Sequence, residues 1–294
     1  MMPFQKILFP VDFSQAVIDL APSVAEMAAR FGAAVTVLNA FNLVRNYSLA
    51  PSADDLWDAE FVPIPYSAAL QKLRDLRVRR LEEFARTHFS NTSPSTLVED
   101  GDPAMVIEWA AHHENADLVM MPTKGLGRFR RLLLGSVTAK VLHDVACPVL
   151  TSAHEPDPGS LAPAGCRSVL CAVNMDSETA DVFRAAAFLA KSFGARVCLL
   201  HIEPSAGQSG QPSDPQEIRD AFERAVGPGG AAIGAKARVR IMDAAIPEGI
   251  RRIATEEEAD LVVVGRGHAR ETFSQAWSHL YAIIRESPCP VLSV

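Results

Sequence analysis

From Pro122 to Thr138 the chain reads Pro-Thr-Lys-Gly-Leu-Gly-Arg-Phe-Arg-Arg-Leu-Leu-Leu-Gly-Ser-Val-Thr. These residue types suit a phosphate. Gly125 and Gly127 permit positive φ and close approach of the backbone to a ligand. Lys124, Arg128, Arg130 and Arg131 concentrate positive charge in an otherwise acidic chain. Gly135-Ser136-Val137-Thr138 opens a helix, whose first N–H groups and dipole attract an anion. The Ser136 and Thr138 hydroxyls can donate to phosphate oxygens. Any one piece also fits a plain glycine turn before a Ser-capped helix; the set, placed after an apolar strand, points to a phosphate cradle. A second segment, Pro10-Val11-Asp12-Phe13-Ser14, ends another apolar run. A carboxylate there can accept hydrogen bonds from a ribose hydroxyl or a base edge. Asp12 and Ser14 equally suit capping of the following helix.

Other chemistries find less support. Apart from Asp12, the segment has no general base and no carboxylate pair for a metal. His112 and His113 are adjacent, so on a helix they diverge by about 100° and cannot share a metal. Cys166-x4-Cys171 lacks zinc spacing. Leu134-Gly-Ser-Val-Thr138 is not a nucleophile elbow, because Thr138 stands at the second glycine position. No Walker A motif or Gly-x-Gly-x-x-Gly fingerprint occurs. Lys72–Arg80 is basic, with apolar residues at 70, 73, 76, 78 and 81. That pattern is a half-buried helix with a solvated outer face rather than a nucleic-acid surface.

The elements that position these groups emerge from an internal repeat. Lys6–Ser14 aligns with Ser168–Asp176, and Phe31–Ala40 with Phe193–Ile202. Ala116-Asp-Leu-Val recurs at Ala259, and Cys147-Pro-Val-Leu at Cys289. The first copy is longer, with an insertion in Asn42–Ser67, rich in Pro, Asp, Asn and Ser, that reads as a loop. Each copy alternates apolar runs and helical stretches. In the first these are Ile7–Val11, Ala16–Phe31, Val35–Leu38, Leu70–Phe89, a weaker Ser95–Glu99, a helix from Pro103, Leu118–Met121, a last helix and Val149–Thr151. The second has Val169–Val173, Glu178–Phe193, Val197–Ile202, Pro215–Val226, Ala237–Met242, a helix from Pro247, Leu261–Val264 and Val291–Val294. Uniformly apolar strands are covered on both faces, which means a parallel sheet. The alternation gives two doubly wound α/β domains in tandem, 1–152 and 166–294, joined by the Pro/Gly-rich linker Ser152–Gly165. Such sheets bind ligands at the carboxyl ends of their strands, where both segments fall.

Composition agrees. The 294 residues suffice for two domains, with 48% apolar and 21% charged. A net charge of −7 argues against bulk binding to DNA or an anionic membrane. No run reaches the roughly 18 apolar residues of a membrane span. Ile7–Val11 is too short for a signal sequence, so a cytoplasmic location is expected. The five cysteines sit mostly in apolar runs and read as buried thiols.

These blocks, in this order, resemble the universal stress protein family, within the adenine-nucleotide alpha hydrolase-like α/β group. The likeness covers nearly the whole chain, twice. The family's ATP-binding members carry Gly-x-x-Gly, nine residues, then Gly-Ser/Thr after strand 4. Gly125, the nine residues Leu126–Leu134, and Gly135-Ser136 match; Pro122 replaces the first glycine. The resemblance implies a stress-response protein that binds ATP, with Mg²⁺, for regulation or sensing rather than catalysis. A slow ATPase, or a nucleotide-free module that docks partners, are the alternatives. It implies Pro10, Val11 and Asp12 at the adenine and ribose, Ala40 meeting adenine through its backbone, and Met121 beside them. Gly125, Gly135, Ser136, Val137 and Thr138 would hold the phosphates. Proline has no N–H to donate, and Lys124 is placed to supply charge instead. In the second copy Ala172, Asn174, His268 and Trp277 replace Pro10, Asp12, Gly125 and Gly135, while Ser278 is retained. A degenerate site is expected there. The family commonly dimerises near its last strand, so the two copies are expected to pair within the chain, with a homodimer of whole chains as a further expectation.

Overall fold

A computed structural model describes residues 4–41, 66–89, 93–123, 134–153, 166–175, 179–203, 214–228, 231–234, 236–266 and 275–294. In the first repeat the order is β1 (Lys6–Pro10), α1 (Gln15–Phe31), β2 (Ala34–Phe41), α2 (Tyr66–His88), β3 (Ser95–Asp100), α3 (Pro103–His113), β4 (Leu118–Met121), α4 (Ser136–Asp144) and β5 (Val149–Thr151). The second gives β6 (Ser168–Val173), α5 (Thr179–Phe193), β7 (Arg196–Glu203), α6 (Pro215–Val226) and the short α7 (Ala231–Gly234). It continues with β8 (Arg238–Asp243), α8 (Ile246–Glu256), β9 (Leu261–Val264), α9 (Gln275–Glu286) and β10 (Val291–Ser293). The expected linker, from 154 onward, and the insertion up to 65 lie outside the described residues.

The ten strands form one sheet, ordered β3-β2-β1-β4-β5-β10-β9-β6-β7-β8. Pairing within each repeat is parallel, and only β5 and β10 meet antiparallel, Val291 opposite Thr151 and Ser293 opposite Val149. The central strands are buried on both faces, as their apolar runs require: β4, β6 and β9 have no exposed residue. The edge strands β3 and β8 carry charged residues, Glu99 and Asp100 on one and Arg238, Arg240 and Asp243 on the other, and are only partly covered. One apolar layer packs α1, α2, α5 and α6 on one face, and the other packs α3, α4, α8 and α9 on the opposite face. Residue 76 departs from the expected apolar stripe of α2: Leu76 is exposed, while Leu81 and Phe84 are buried.

The repeated blocks recur as repeated contacts. Gly32 and Gly194 both adopt left-handed φ, at 64° and 68°, just after α1 and α5. A side chain with a Cβ resists that conformation, so Phe-Gly-Ala is a helix stop. Asp117 accepts from the amides of Gln5 (2.8 Å) and Lys6 (3.0 Å), and Asp260 from those of Arg167 (2.7 Å) and Ser168 (3.0 Å). The aspartate of Ala-Asp-Leu-Val therefore ties the start of the first strand to the start of the fourth.

The seam between repeats has side-chain ties too. The Thr151 hydroxyl donates to Val291 O (3.3 Å) and the Ser293 hydroxyl to Val149 O (3.1 Å). Arg266, just past β9 and 7% exposed, reaches across to first-repeat carbonyls of Leu142 (3.4 Å), Val145 and Cys147, and to Ser293 O (3.4 Å). These satisfy carbonyls at the end of α4, where the helix cannot. The Leu134 amide donates to the Tyr281 hydroxyl on α9 at 2.9 Å. The cysteines contain no disulfide: Cys166, Cys171, Cys198 and Cys289 are buried and Cys147 is half-buried.

Candidate functional site

Parallel pairing lines up the carboxyl ends of β1, β2 and β4. Lys6–Pro10 pairs with Ala34–Leu38 on one side, and Ile7-Leu8 pairs with Leu118-Val119 on the other. That register carries Pro10 and Asp12 toward the same end as Ala40 and Met121. The order β2-β1-β4 reverses direction at β1, so a crevice opens beyond β1 and β4.

Around this crevice the sequence-predicted residues take distinct places. Pro10 and Ala40 are half-buried, and Val11 and Met121 are buried. The Val11 amide donates to Leu38 O at 2.7 Å, prolonging the β1–β2 ladder past the strand. Asp12 is half-buried, and its Oδ1 accepts from the Ser14 amide at 2.9 Å. Ser14 precedes α1 in extended conformation, but its side chain makes no capping bond. Phe13, between them, has φ 61°, a conformation costly for a bulky residue. Its ring lies against Phe84, at 6.1 Å, with the Arg80 guanidinium 4.2 Å above it. Met175 repeats the conformation in the second copy, with φ 55°.

At the other side of the crevice, Gly135 is the residue before α4, extended (φ −61°, ψ 141°) and without a side-chain cap. Its amide donates to Thr123 O at 2.9 Å, which holds the start of α4 against the end of β4. The amides of Ser136, Val137 and Thr138 have no intrahelical acceptor, as in any first turn. Ser136 is exposed and Val137 half-buried. Thr138 is buried, and its hydroxyl donates to Pro122 O at 3.1 Å. That hydroxyl proton is therefore committed to the strand end rather than aimed at a ligand, because the third helical position faces inward. Lys124 and Gly125 lie outside the described residues.

Two buried oxygens at the crevice have no hydrogen-bond partner, Ser14 Oγ and Asn39 Oδ1. Leaving such atoms unpaired costs about 1–3 kcal/mol each. Asn39, on β2, also donates from Nδ2 to Val11 O at 2.6 Å, which supports the strand end from beneath. Sequence reading missed Asn39. Its signal was a polar residue inside a run otherwise apolar from Val37 to Phe41. His201 holds the same place in the second repeat, its Nδ1 3.0 Å from Val173 O.

The second repeat's crevice differs. A cavity of about 120 Å³ lies there, bordered by Ala172, Val173 and Asn174 at the end of β6 and by Val264, Gly265 and Arg266 at the end of β9. Trp277 lies on α9, whose described side chains begin at Ser278; His268 lies outside the described residues.

Burial raises the thiols: Cys147 to about 11, Cys166 and Cys198 to about 12 and Cys289 to about 12. None has the depressed pKa of a nucleophile. Among the described residues, no group of three His, Cys, Asp or Glu side chains could hold a metal ion, and no helix is long and apolar enough to cross a membrane.

Comparison with known proteins follows the same division. A universal stress protein of Thermus aquaticus is 31% identical over 147 residues, which is 50% of this chain and 97% of that protein. The crystal structure of a universal stress protein from Archaeoglobus fulgidus superposes with TM-score 0.69 at 22% identity, covering 99% of this chain and 96% of that one. A functionally unknown protein of Pseudomonas aeruginosa superposes with TM-score 0.59 at 18% identity, covering 99% and 92%. The pattern of the Universal stress protein family matches twice, at residues 3–152 and 165–294, so the chain belongs to that family through both of its halves.

Proposed function

We propose that the chain is a stress-response protein that binds an adenine nucleotide, ATP with Mg²⁺, in its first repeat for regulation rather than catalysis. The observation that carries this reading is the register that sets the ends of β1 and β4 side by side, with the uncapped first turn of α4 tied to the residues after β4 by the Gly135 amide and Thr123 O. The first-turn amides offer a phosphate unpaired donors at the positive end of a helix dipole. Asn39 Oδ1, buried and unpartnered, suits an amino or hydroxyl donor of the nucleoside. The spacing from Gly125 to Gly135-Ser136 supports the same ligand. In this reading Pro10, Val11, Asp12, Ala40 and Met121 receive adenine and ribose, while Lys124, Gly125, Gly135, Ser136, Val137 and Thr138 receive the phosphates. Thr138 serves through its amide. Domains at 1–152 and 166–294, a cytoplasmic setting and a homodimer of whole chains complete the proposal.

The test is titration calorimetry with ATP and Mg²⁺ on the purified chain and on Lys124→Ala and Ser136→Ala. Each substitution removes a donor to a charged group, so affinity falls about tenfold. Unchanged affinity in both variants overturns the cradle. Absence of binding at millimolar ATP overturns the nucleotide reading, and steady ADP release overturns the regulatory one.

A further inference from the structure

We propose that the second repeat is a working part of the first repeat's nucleotide site, with Tyr281 as a positioning residue for the phosphate-binding turn of α4. The inference rests on the adenine-nucleotide reading above and names what keeps that site in shape. Tyr281 lies on α9, half-buried, its side chain packed against the apolar layer that α3, α4, α8 and α9 share. Its hydroxyl oxygen accepts from the Leu134 amide at 2.9 Å, although the two residues are 147 positions apart in the chain.

Five consecutive amides divide into two groups at this point. The Leu134 N–H is held by Tyr281, and the Gly135 N–H by Thr123 O at 2.9 Å. The Ala139 amide donates to Gly135 O, also at 2.9 Å, as the helix begins. Between them the amides of Ser136, Val137 and Thr138 have no acceptor within the helix. Two donors thus fix the backbone just where three others are offered to an anion. One anchor belongs to the first repeat and the other to the second. Donors held in place before the ligand arrives spare the cost of ordering them on binding.

The internal repeat supplies a control within the molecule. The register that aligns Ser136 with Ser278 and Cys147 with Cys289 sets Ala139 opposite Tyr281. Alanine has no hydroxyl, so the first repeat cannot return the tie. Arg266, which donates to carbonyls at the other end of α4, aligns with Thr123, which has no guanidinium. Both ends of α4 are therefore supported by second-repeat side chains that the first repeat does not reciprocate. The support runs toward the copy that keeps Gly135, from the copy that carries Trp277 in its place. A repeat without that glycine still has a task, which is to shape its neighbour's site.

The experiment uses the full chain and its Tyr281→Phe and Tyr281→Leu variants. Phenylalanine removes the hydroxyl alone and leaves the ring in its packing. Amide exchange by ¹⁵N NMR is followed without nucleotide, and calorimetry is run with ATP and Mg²⁺ and separately with adenosine. In Tyr281→Phe the Leu134 amide exchanges faster, and ATP binds about fivefold more weakly, as expected for one hydrogen bond between neutral groups. Adenosine, which has no phosphate, binds unchanged. Tyr281→Leu gives the same shift in the ratio of ATP to adenosine affinity and serves if Tyr281→Phe does not fold. A merely structural role would leave that ratio in place, because loss of folded protein weakens both ligands alike. Unchanged ATP affinity in a folded variant, or an equal loss for adenosine, overturns the inference while the nucleotide reading stands. Unchanged exchange at Leu134 overturns the tie itself. No binding of either ligand by the unsubstituted chain at millimolar concentration overturns the nucleotide reading and this inference with it.

Discussion

Arg266→Ala tests whether one side chain fastens the two repeats together. The guanidinium donates to four carbonyls, two of them at 3.4 Å and two closer. Hydrogen bonds from a charged donor contribute about 1.5–3 kcal/mol each, and 3.4 Å is near the limit of a useful bond. Counting only the two closer ones at the low end gives a loss of about 3 kcal/mol, before any cost of leaving the Val145 and Cys147 carbonyls without that donor. With an unfolding entropy of about 2.1 cal/mol/K per residue over 294 residues, the midpoint falls by about 5 °C. Urea unfolding followed by far-UV circular dichroism measures the free energy, and hydrogen exchange locates it. The amides of α4, of the turn that joins it to β5 and of β10 should exchange faster, because the carbonyls lost are Leu142 on α4, Val145 and Cys147 in that turn and Ser293 on β10. Arg266→Lys keeps the charge but not the planar fork, so it should lose about half as much. A loss below about 1 kcal/mol in Arg266→Ala, or faster exchange confined to the second repeat, refutes the argument.

Three further outcomes follow from the same contacts. Asp117→Asn leaves one carbonyl oxygen where two carboxylate oxygens accept from Gln5 and Lys6, and should cost about 1–2 kcal/mol in urea unfolding; Asp260→Asn should cost less, because Oδ2 alone accepts from both Arg167 and Ser168 and one amide oxygen can replace it. At pH 7.5 a thiol reagent should label Cys147 first, with Cys166, Cys171, Cys198 and Cys289 reacting only as fast as the fold opens, since these four are buried. Equal labelling of all five in native protein would contradict this. Burial holds the folded thiols neutral, so the unfolded chain releases their protons first. Their stabilising contribution is therefore complete below pH 9 and shrinks as pH rises toward about 12 for Cys166 and Cys289. The slope, at most about 1.4 kcal/mol per pH unit for each thiol, should fall when either is replaced by alanine.

The alternation of apolar runs located every strand, and Pro215–Val226 coincides with α6. Such runs are legible because central strands are covered on both faces. The third strands read as weak for the complementary reason: β3 and β8 are sheet edges and carry charge. The repeated tetrads were visible as text, but their causes were not. Nothing in Ala-Asp-Leu-Val says that the carboxylate reaches back more than ninety residues to backbone amides. The site was legible where it depends on chain-local features, such as Gly135-Ser136 opening α4. Asn39 was missed because its role depends on Val11, brought near only by strand pairing. Thr138 was read as facing a ligand, whereas its direction depends on how α4 rests on Pro122. The cavity of the second repeat arises from the packing of α8 and α9 on β7, which no single motif encodes.

The antiparallel meeting of β5 and β10 has a kinetic consequence. Two separate chains paired through such three-residue strands would part on dilution, because their encounter depends on concentration. Here both partners belong to one polypeptide, so each strand sees the other at a fixed effective concentration. The pairing is unimolecular and its stability does not vary with the amount of protein. It also occupies both of those strand edges, since β5 lies between β4 and β10, and β10 between β5 and β9. Among the described residues, the strand edges left for any further sheet-to-sheet assembly of whole chains are those of β3 and β8. The cell can therefore change the level of this protein widely without changing how its two halves face each other.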